Sequence, residues 1–387
     1  MKNRIVSVVL MLSLAVSALT ACGSSDSNGL DTGKNAAKTE AVVANDTEKA
    51  LAKELLDRSA TPEDKITDGV VNEVIALLKD KYTFEKVGTI YVEGDNSVYA
   101  AQGKGWFKNL FGDSGIEVQI QQSVDDDEPS LMERGELHFA NRMLYPYLID
   151  KKNDPENKLV AVWNSDNPPA EIVTVVARSD SDYKSFADLK GKKIASSAAG
   201  CPYSTLIELA ANQGWEYNVD YEHVNTKEYT AALLAGEVDA IVYHPSSVVA
   251  PLLLSGEGKI IDTAIDGGVY QSGGGDRVIF APTQYVKDNP NVTHAYVKLN
   301  DVVGAWVEQN AKEAADVEEA IDRVPAESTE FWINSSGGTL YTSPDSLNDL
   351  KDNARSFSEW LVENDKNFEH PIDVENGFFA EEYFDVG

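Results

Sequence analysis

The sequence predicts an α/β fold, and three observations predict it. From Lys86 to Pro282, short β-rich runs alternate with helical stretches of roughly 10–15 residues, the pattern of strand–helix–strand units with a largely parallel sheet. The chain has 387 residues, which suggests about two domains. Hydrophobic residues make up 42% and charged residues 25%, a globular composition rather than a disordered, collagen-like or polytopic membrane one.

In order, Thr47–Ala60 and Pro62–Lys81 read as helices. Thr61 is a suitable N-cap, Pro62 suits a first turn, and Ile66, Val70, Val74 and Leu77 recur at helical spacing. Val87–Val92 is the first β-run. Gly94-Asp95-Asn96-Ser97 then opens a helical stretch containing Trp106-Phe107. Ile116–Ile120 alternates like a strand, and Val124–Ser130 (VDDDEPS) opens a helix running to Arg134. Leu137–Ala140, Leu159–Trp163 and Ile172–Ala177 are further strands.

Ser185–Ala195 reads as a short helix, a glycine turn and a strand. Ser196–Tyr203 is a Gly/Ser/Pro turn before a helix at Ser204–Gln213. Tyr221–Val224 and Val238–Tyr243 are strands flanking a helix, Tyr229–Ala235, that Gly236 closes. His244–Ser247 opens the next helix, and Ile260-Ile261 and Val278–Pro282 are strand-like. From Pro290 the chain is mainly helical, over Val292–Ala314, Val317–Val324 and Ser346–Asn364.

The N-terminus reads as a targeting segment. Lys2 and Arg4 precede an apolar run, Ile5–Leu19, that is short for a membrane span and matches a signal-peptide core. Leu19-Thr20-Ala21-Cys22 resembles a bacterial lipobox, in which the Cys22 thiol receives lipid and becomes the new N-terminus. Residues 1–22 are thus a lipoprotein signal peptide, 23–46 a flexible polar tether, and 47–83 a helical extension.

Charge and cysteine content narrow the partners. With 33 Lys+Arg against 64 Asp+Glu, the net charge is −31. Nucleic acid is excluded as a partner, because a phosphate backbone needs a basic surface, and so is docking on anionic lipid through a basic face. A lipidated Cys22 leaves Cys201 without an intramolecular disulfide partner. There is no CxxC and no HExxH, and the five histidines are scattered, so neither a metal nor a cofactor is expected.

Several stretches share a resemblance. "VVARSDSDYKSFADLKGKKIASSAAGCPYSTLIELAANQGW", "YTAALLAGEVDAIVYHPSSV", "GKGWFKNLFGDSGIEVQI" and, more weakly, "EPSLMERGELHFA" resemble ordered motifs of ABC-transporter solute-binding proteins of the nitrate/taurine/aliphatic-sulfonate family. The resemblance covers about Glu85 to Gly387. It implies a two-lobed type II periplasmic-binding-protein fold with mixed, mainly parallel sheets. Lobe 1 would be 84–176 and 285–387, and lobe 2 would be 177–284, with crossovers near Val175–Arg178 and Phe280–Tyr285. It also implies a monomeric, extracytoplasmic, lipid-anchored binder. Its partners would be a small-molecule ligand and an ABC permease with its ATPase.

In such folds ligands sit beyond the carboxyl ends of strands, where helix N-termini present free N–H groups. Five loops are candidates. Asp95, Asn96 and Ser97 follow the first strand, where helix capping alone is the alternative. Asp125–Glu128 would repel an anion, so this loop either faces solvent or meets a ligand with a positive group. That disfavours nitrate and keeps a taurine-like zwitterion. Ser197, Gly200, Tyr203, Ser204 and Thr205 surround the turn at Ser196–Thr205. Tyr243 and His244 end a strand and either line a wall or lie exposed. Asn141 and Arg142 follow Leu137–Ala140; Arg142 either clamps an acid group or pairs with a neighbouring carboxylate. Gly273-Gly274-Gly275 lacks the GK[ST] of a phosphate loop.

The chain therefore reads as a binder of a small polar organic ligand, with a sulfonate or taurine-like compound favoured, and not as an enzyme. One alternative is a cysteine-dependent hydrolase, with Cys201 at a predicted helix start and His223 and His244 as possible bases. Another is a ligand sensor on the same fold.

Overall fold

The computed structural model describes residues 43–121, 127–165, 173–226, 228–269, 275–335 and 347–384. The expected signal peptide, Cys22, nearly all of the tether, Asp125 and Gly273-Gly274 lie outside the described residues.

Helix α1 (Asp46–Glu54) starts at Asn45, whose side chain accepts from the Thr47 and Glu48 N–H groups in a capping box with Glu48. It ends well before Ala60, because Arg58 turns back to pair with Asp64 at 2.6 Å. Helix α2 (Asp68–Lys81) begins at a Thr67 cap, whose hydroxyl accepts from Val70 at 3.2 Å. The start expected at Thr61–Pro62 is thus too early. The Asp64 carboxylate instead takes the Thr61 N–H and hydroxyl into a turn. Val70, Val71, Val74, Ile75 and Leu78 of α2 are buried, one apolar face of the helix.

Strand β1 (Thr89–Glu93) leads into α3 (Asn96–Gly103) and α4 (Trp106–Phe111), which Gly105 separates with φ 74°. Strand β2 (Glu117–Gln121) runs parallel to β1. Next come α5 (Glu128–Glu133), β3 (Ala140–Met143), α6 (Leu144–Lys152) and β4 (Leu159–Ser165). Asn141 and Arg142 thus lie within β3 and not after it. The following set is β5 (Thr174–Arg178), β6 (Lys193–Ser196), α7 (Cys201–Asn212), β7 (Glu222–Asn225), α8 (Tyr229–Ala235), β8 (Ala240–Tyr243), α9 (Ala250–Leu254), β9 (Gly258–Thr263) and β10 (Arg277–Pro282). Helices α10 (Thr283–Asp288), α11 (Pro290–Gln309), α12 (Ala311–Asp322), α13 (Ala326–Ser335) and α14 (Leu347–Asn364) complete the described chain, apart from an extended tail.

Among the described residues the strands form three sheets, in the orders β1-β2, β3-β10-β4 and β7-β6-β8-β5-β9. A parallel bridge, Val92↔Phe139, sets the first beside the second. The sheets are mixed, as expected, but their parallel share is smaller than expected. β6 runs parallel to β7 and β8, whereas β5 opposes β8 and β9, and β10 opposes β3 and β4.

This pairing also moves the expected crossovers. β4 and β5 belong to different sheets, as do β9 and β10, so the chain changes sheet between Ser165 and Thr174 and again between Thr263 and Arg277. Val175–Arg178 lies past the first of these points and Phe280–Tyr285 past the second. Thr174–Ala177 of β5 and Val278–Ala281 of β10 are buried, which marks sheet interior rather than a connection.

The helices of 46–81 are part of the core. Trp106 and Trp306 meet edge to face at 5.1 Å, in one apolar cluster with Val70, Val74 and Leu78. The Trp306 indole N–H donates to Asp68 at 2.9 Å. At the other end, the buried Lys151 donates to the carbonyls of Leu159 at 2.8 Å and Gly377 at 2.9 Å, fastening the tail to α6 and β4.

Candidate functional site

The strand-to-helix loops of the two larger sheets converge on a cleft. One hollow of about 280 Å³ takes its wall from Glu93, Asn141 and Arg277 on one side and from Ser197, Gly200, Cys201, Tyr243 and His244 on the other. A second, of about 270 Å³, shares His244 and adds Asp95, Asn96, Tyr99, Glu318, Asp322 and Trp332. A larger hollow of about 540 Å³ lies on the far side of Arg142 and Pro146. Exposed Glu133, Asn153, Glu156 and Lys158 rim it, and of the five-stranded-sheet side only Ala199 reaches it among the described residues. The paired hollows gather polar groups from both sides and are the better candidate.

The first loop does two jobs. Asp95 caps α3, with Oδ1 accepting the Val98 N–H at 2.8 Å, and its other oxygen accepts from the Asn141 amide. Asn141 Oδ1 in turn accepts from Arg277 Nη2 at 2.5 Å, and the Asn141 N–H donates to Glu93 at 2.9 Å. Asn96 donates to Glu318 Oε2 at 2.8 Å. Gly94 leaves room for the Tyr99 hydroxyl, which any side chain there would strike. Ser97 does not join the site: it is fully buried in α3, and its hydroxyl has no hydrogen-bond partner among the described residues.

Arg142 borders the cleft but is already occupied. Its guanidinium is buried and paired with Glu128 and, at 3.2 Å, with Asp150. Of the two readings of Arg142, acid clamp or pairing with neighbouring carboxylates, the structure has the pairing. Of the acidic loop, Asp127 is exposed and Glu128 is buried against Arg142, while Asp125 and Asp126 lie outside the described residues.

Along α7 the expectation divides. Ser197 Oγ accepts from the Gly200 N–H at 3.2 Å, and both residues face the cleft. Tyr203, Ser204 and Thr205 do not. The helix begins at Cys201, three residues earlier than expected, so these positions fall in its packed first turns, where Pro202–Ala210 are all buried. Tyr203 reaches Asp365 at 3.4 Å, and Ser204 donates to the Cys201 carbonyl at 3.0 Å. At the end of β8, Tyr243 rests 4.6 Å from the Tyr229 ring, and His244 stands edge-on to Trp332 at 5.3 Å. His244 Nε2 lies 2.7 Å from Cys201 Sγ. His223 sits apart, between Ser196 and Tyr217 at 2.9 Å each, with burial lowering its basicity.

Sequence reasoning missed Glu93, Tyr99, Arg277, Glu318, Asp322 and Trp332. Burial lifts the Glu318 carboxyl to about 7, with Asp322 adding to the lift, while hydrogen bonds from Thr329 and Asn96 oppose it. The cleft is thus acid-rich, with two arginines, Arg277 and the ion-paired Arg142, and aromatic walls. Among the described residues no group of three or more His, Cys, Asp or Glu could hold a metal ion. No helix among them is long and apolar enough to cross a membrane.

Comparison with known proteins agrees with this architecture. A Haemophilus influenzae protein provisionally named for thiamine biosynthesis is 30% identical over 173 residues, 43% of this chain and 52% of the relative. The chain thus spans about half the length of that curated relative. The alkanesulfonate-binding protein SsuA of Xanthomonas axonopodis pv. citri, solved with MOPS, superposes with TM-score 0.62 at 17% identity, over 76% of this chain and 99% of its own. The periplasmic aliphatic sulphonate-binding SsuA of Escherichia coli gives 0.62 at 15%, over 76% and 92%. The desulfurization enzyme DSZB gives 0.51 at 13%, over 76% and 97%. These likenesses establish the periplasmic-binding-protein fold. The NMT1/THI5-like family matches residues 96–301, more than half of the sequence, and the chain belongs to that family.

Proposed function

We propose that this chain is the extracytoplasmic solute-binding component of an ABC importer. It captures a small polar organic molecule between two lobes and passes it to a permease and its ATPase. The carrying observation is the cleft itself, in which Asn141 and Arg277 face Ser197, Gly200 and His244 across the gap between two sheets. Hinge closure around such a cleft is the usual motion of two-lobed binders. Lipid on Cys22 would hold a monomeric body at the membrane.

The acids define the ligand class. Glu93, Asp95, Glu318 and Asp322 suit N–H donors, and Tyr99 and Trp332 suit a cation or a flat ring. Arg277 can take one acid group. A taurine-like aminosulfonate fits both ends, whereas an alkanesulfonate without an amine leaves the acids unanswered. A thermal-shift panel of aminosulfonates, alkanesulfonates and aminopyrimidines tests this, because a ligand of the native state alone raises its melting temperature. Stabilisation by amino compounds is expected. Stabilisation by alkanesulfonates alone overturns the ligand class, and a flat panel counts against the binding role.

The Cys201–His244 contact favours a second reading, a cysteine-dependent hydrolase. Turnover that Cys201→Ser abolishes while binding persists would establish it.

A further inference from the structure

A further cavity, of about 410 Å³, lies where the turn after α1, the end of α2, β4, α11 and the tail meet. It shares no lining residue with the two hollows of the cleft. Its volume is in the range of small-molecule pockets, roughly 300–1,000 Å³. Two of its lining residues, Ser59 and Trp163, are 8% and 7% exposed. Neither the Ser59 hydroxyl nor the Trp163 indole nitrogen has a hydrogen-bond partner among the described residues. A buried polar group left unmet is costly, and an indole N–H can only donate, so whatever answers it must accept. Three more lining residues are rings: Tyr82 lies parallel to His294 at 5.7 Å, and Tyr383 is 4.3 Å from His294.

Charge narrows the occupant. The Lys298 ammonium reaches the cavity, but Asp301 is its counter-ion at 3.2 Å, so the pair leaves no surplus positive charge for an anion. Burial lowers the basicity of His294, with Lys81 adding to the effect, so that ring stays neutral near pH 7. At the exposed rim Asp57 and Glu382 outnumber Lys81, which also disfavours an anion. A cation would meet the ammonium and the indole donor inside. We propose that this cavity is a second ligand site, separate from the solute cleft, for a small uncharged aromatic carbonyl compound. The carbonyl oxygen accepts from the Trp163 indole and from the Ser59 hydroxyl, and the ring lies among Tyr82, His294 and Tyr383. Ser59 and Tyr82 belong to the helical extension and Trp163 and His294 to the body, so the occupant touches both.

Benzamide is the probe, titrated into the nitrogen-15-labelled full-length protein while the indole N–H signals of its six tryptophans are followed by NMR. Loss of a signal in Trp163→Phe identifies Trp163. Ser59→Ala, which should move the same signal, identifies it again if that variant fails to fold. Benzamide should shift the Trp163 signal saturably, with half-saturation near about 1 mM for so small a ligand, and leave Trp332 of the cleft in place. Tyr82→Ala should weaken the response by roughly two- to tenfold, the worth of one aromatic contact. Benzylamine, which puts a cationic donor where the carbonyl stands, should shift nothing, and cyclohexanecarboxamide, which lacks the flat ring, should bind more weakly. No shift of Trp163 at about 10 mM benzamide overturns the site, as does a shift of Trp332 alone. An equal response to benzylamine overturns the acceptor chemistry, and an equal response to cyclohexanecarboxamide overturns the aromatic one. The importer reading rests on the cleft, so none of these outcomes decides it.

Discussion

Asn96 and Glu318, 222 residues apart in sequence, meet through a 2.8 Å hydrogen bond from the asparagine amide to the carboxylate. The contact ties the first turn of α3 to the end of α12 and places an acid at the cleft wall. Thr329 of α13 holds the other oxygen at 3.1 Å. Two donors fix the carboxyl in position but do not offset its burial, so it keeps a proton that an exposed glutamate would lose.

That proton makes stability depend on pH. In the unfolded chain Glu318 titrates as an ordinary carboxyl, near pH 4.3, while in the fold it does so at about 7. Between these values the folded chain holds more protons, so this group's contribution falls as pH rises through the window. Glu318→Gln should melt above the wild type at pH 8 and lose less stability between pH 5 and 8. Paired melting curves at the two pH values check this, and a variant that loses as much as the wild type refutes it.

Arg142 should tolerate little change. Arg142→Met leaves Glu128 and Asp150 buried without their cation, and breaking such a pair costs roughly 3–5 kcal/mol. Urea denaturation measures the loss. A loss below about 1 kcal/mol would mean that water already reaches the network.

Arg277 is predicted to anchor the acid end of the ligand. Arg277→Ala should weaken an aminosulfonate by roughly 10- to 100-fold, the worth of one charged hydrogen-bonding contact. Titration calorimetry reads it. Unchanged affinity would move the anion site elsewhere in the cleft.

The helices at 46–81 should be inseparable from the body. Trp306→Phe removes the indole donor from Asp68 and thins the contact with Trp106, at a cost of about 1–3 kcal/mol. Denaturant midpoints check it, and an unchanged midpoint would make this contact incidental.

Much of the fold was legible in the sequence because its signals are local. Gly236 sits at φ 74° where it closes α8, and Asp95 caps α3 as its side chain allows. Errors arose where two local signals competed. Thr61-Pro62 and Thr67-Asp68 both look like helix starts, and tertiary bonds from Asp64 decided between them. Pro202 is as compatible with the first turn of α7 as with the turn before it, so Tyr203 was expected in the loop and Ser204 and Thr205 at the helix start. The site was about half legible. Asn141, Ser197, Gly200 and His244 lie next to strand ends, which sequence can find. Glu318 and Trp332 reach the cleft from the C-terminal helices, where no spacing rule points to the far sheet. Arg142 was left open between a ligand clamp and an ion pair, because its partners lie on separate helices, α5 and α6, which sequence does not bring together.

The network beneath the cleft also bears on how solutes arrive. One guanidinium faces two carboxylates there, so the floor keeps surplus negative charge under a chain whose total is −31. Low-dielectric walls focus such a field outward into the mouth. Cationic and zwitterionic solutes are then drawn in and oriented before any contact forms, while simple anions are slowed at the encounter. Discrimination would begin in the association rate, and it would fade as ionic strength shortens the reach of the field to about 8 Å or less.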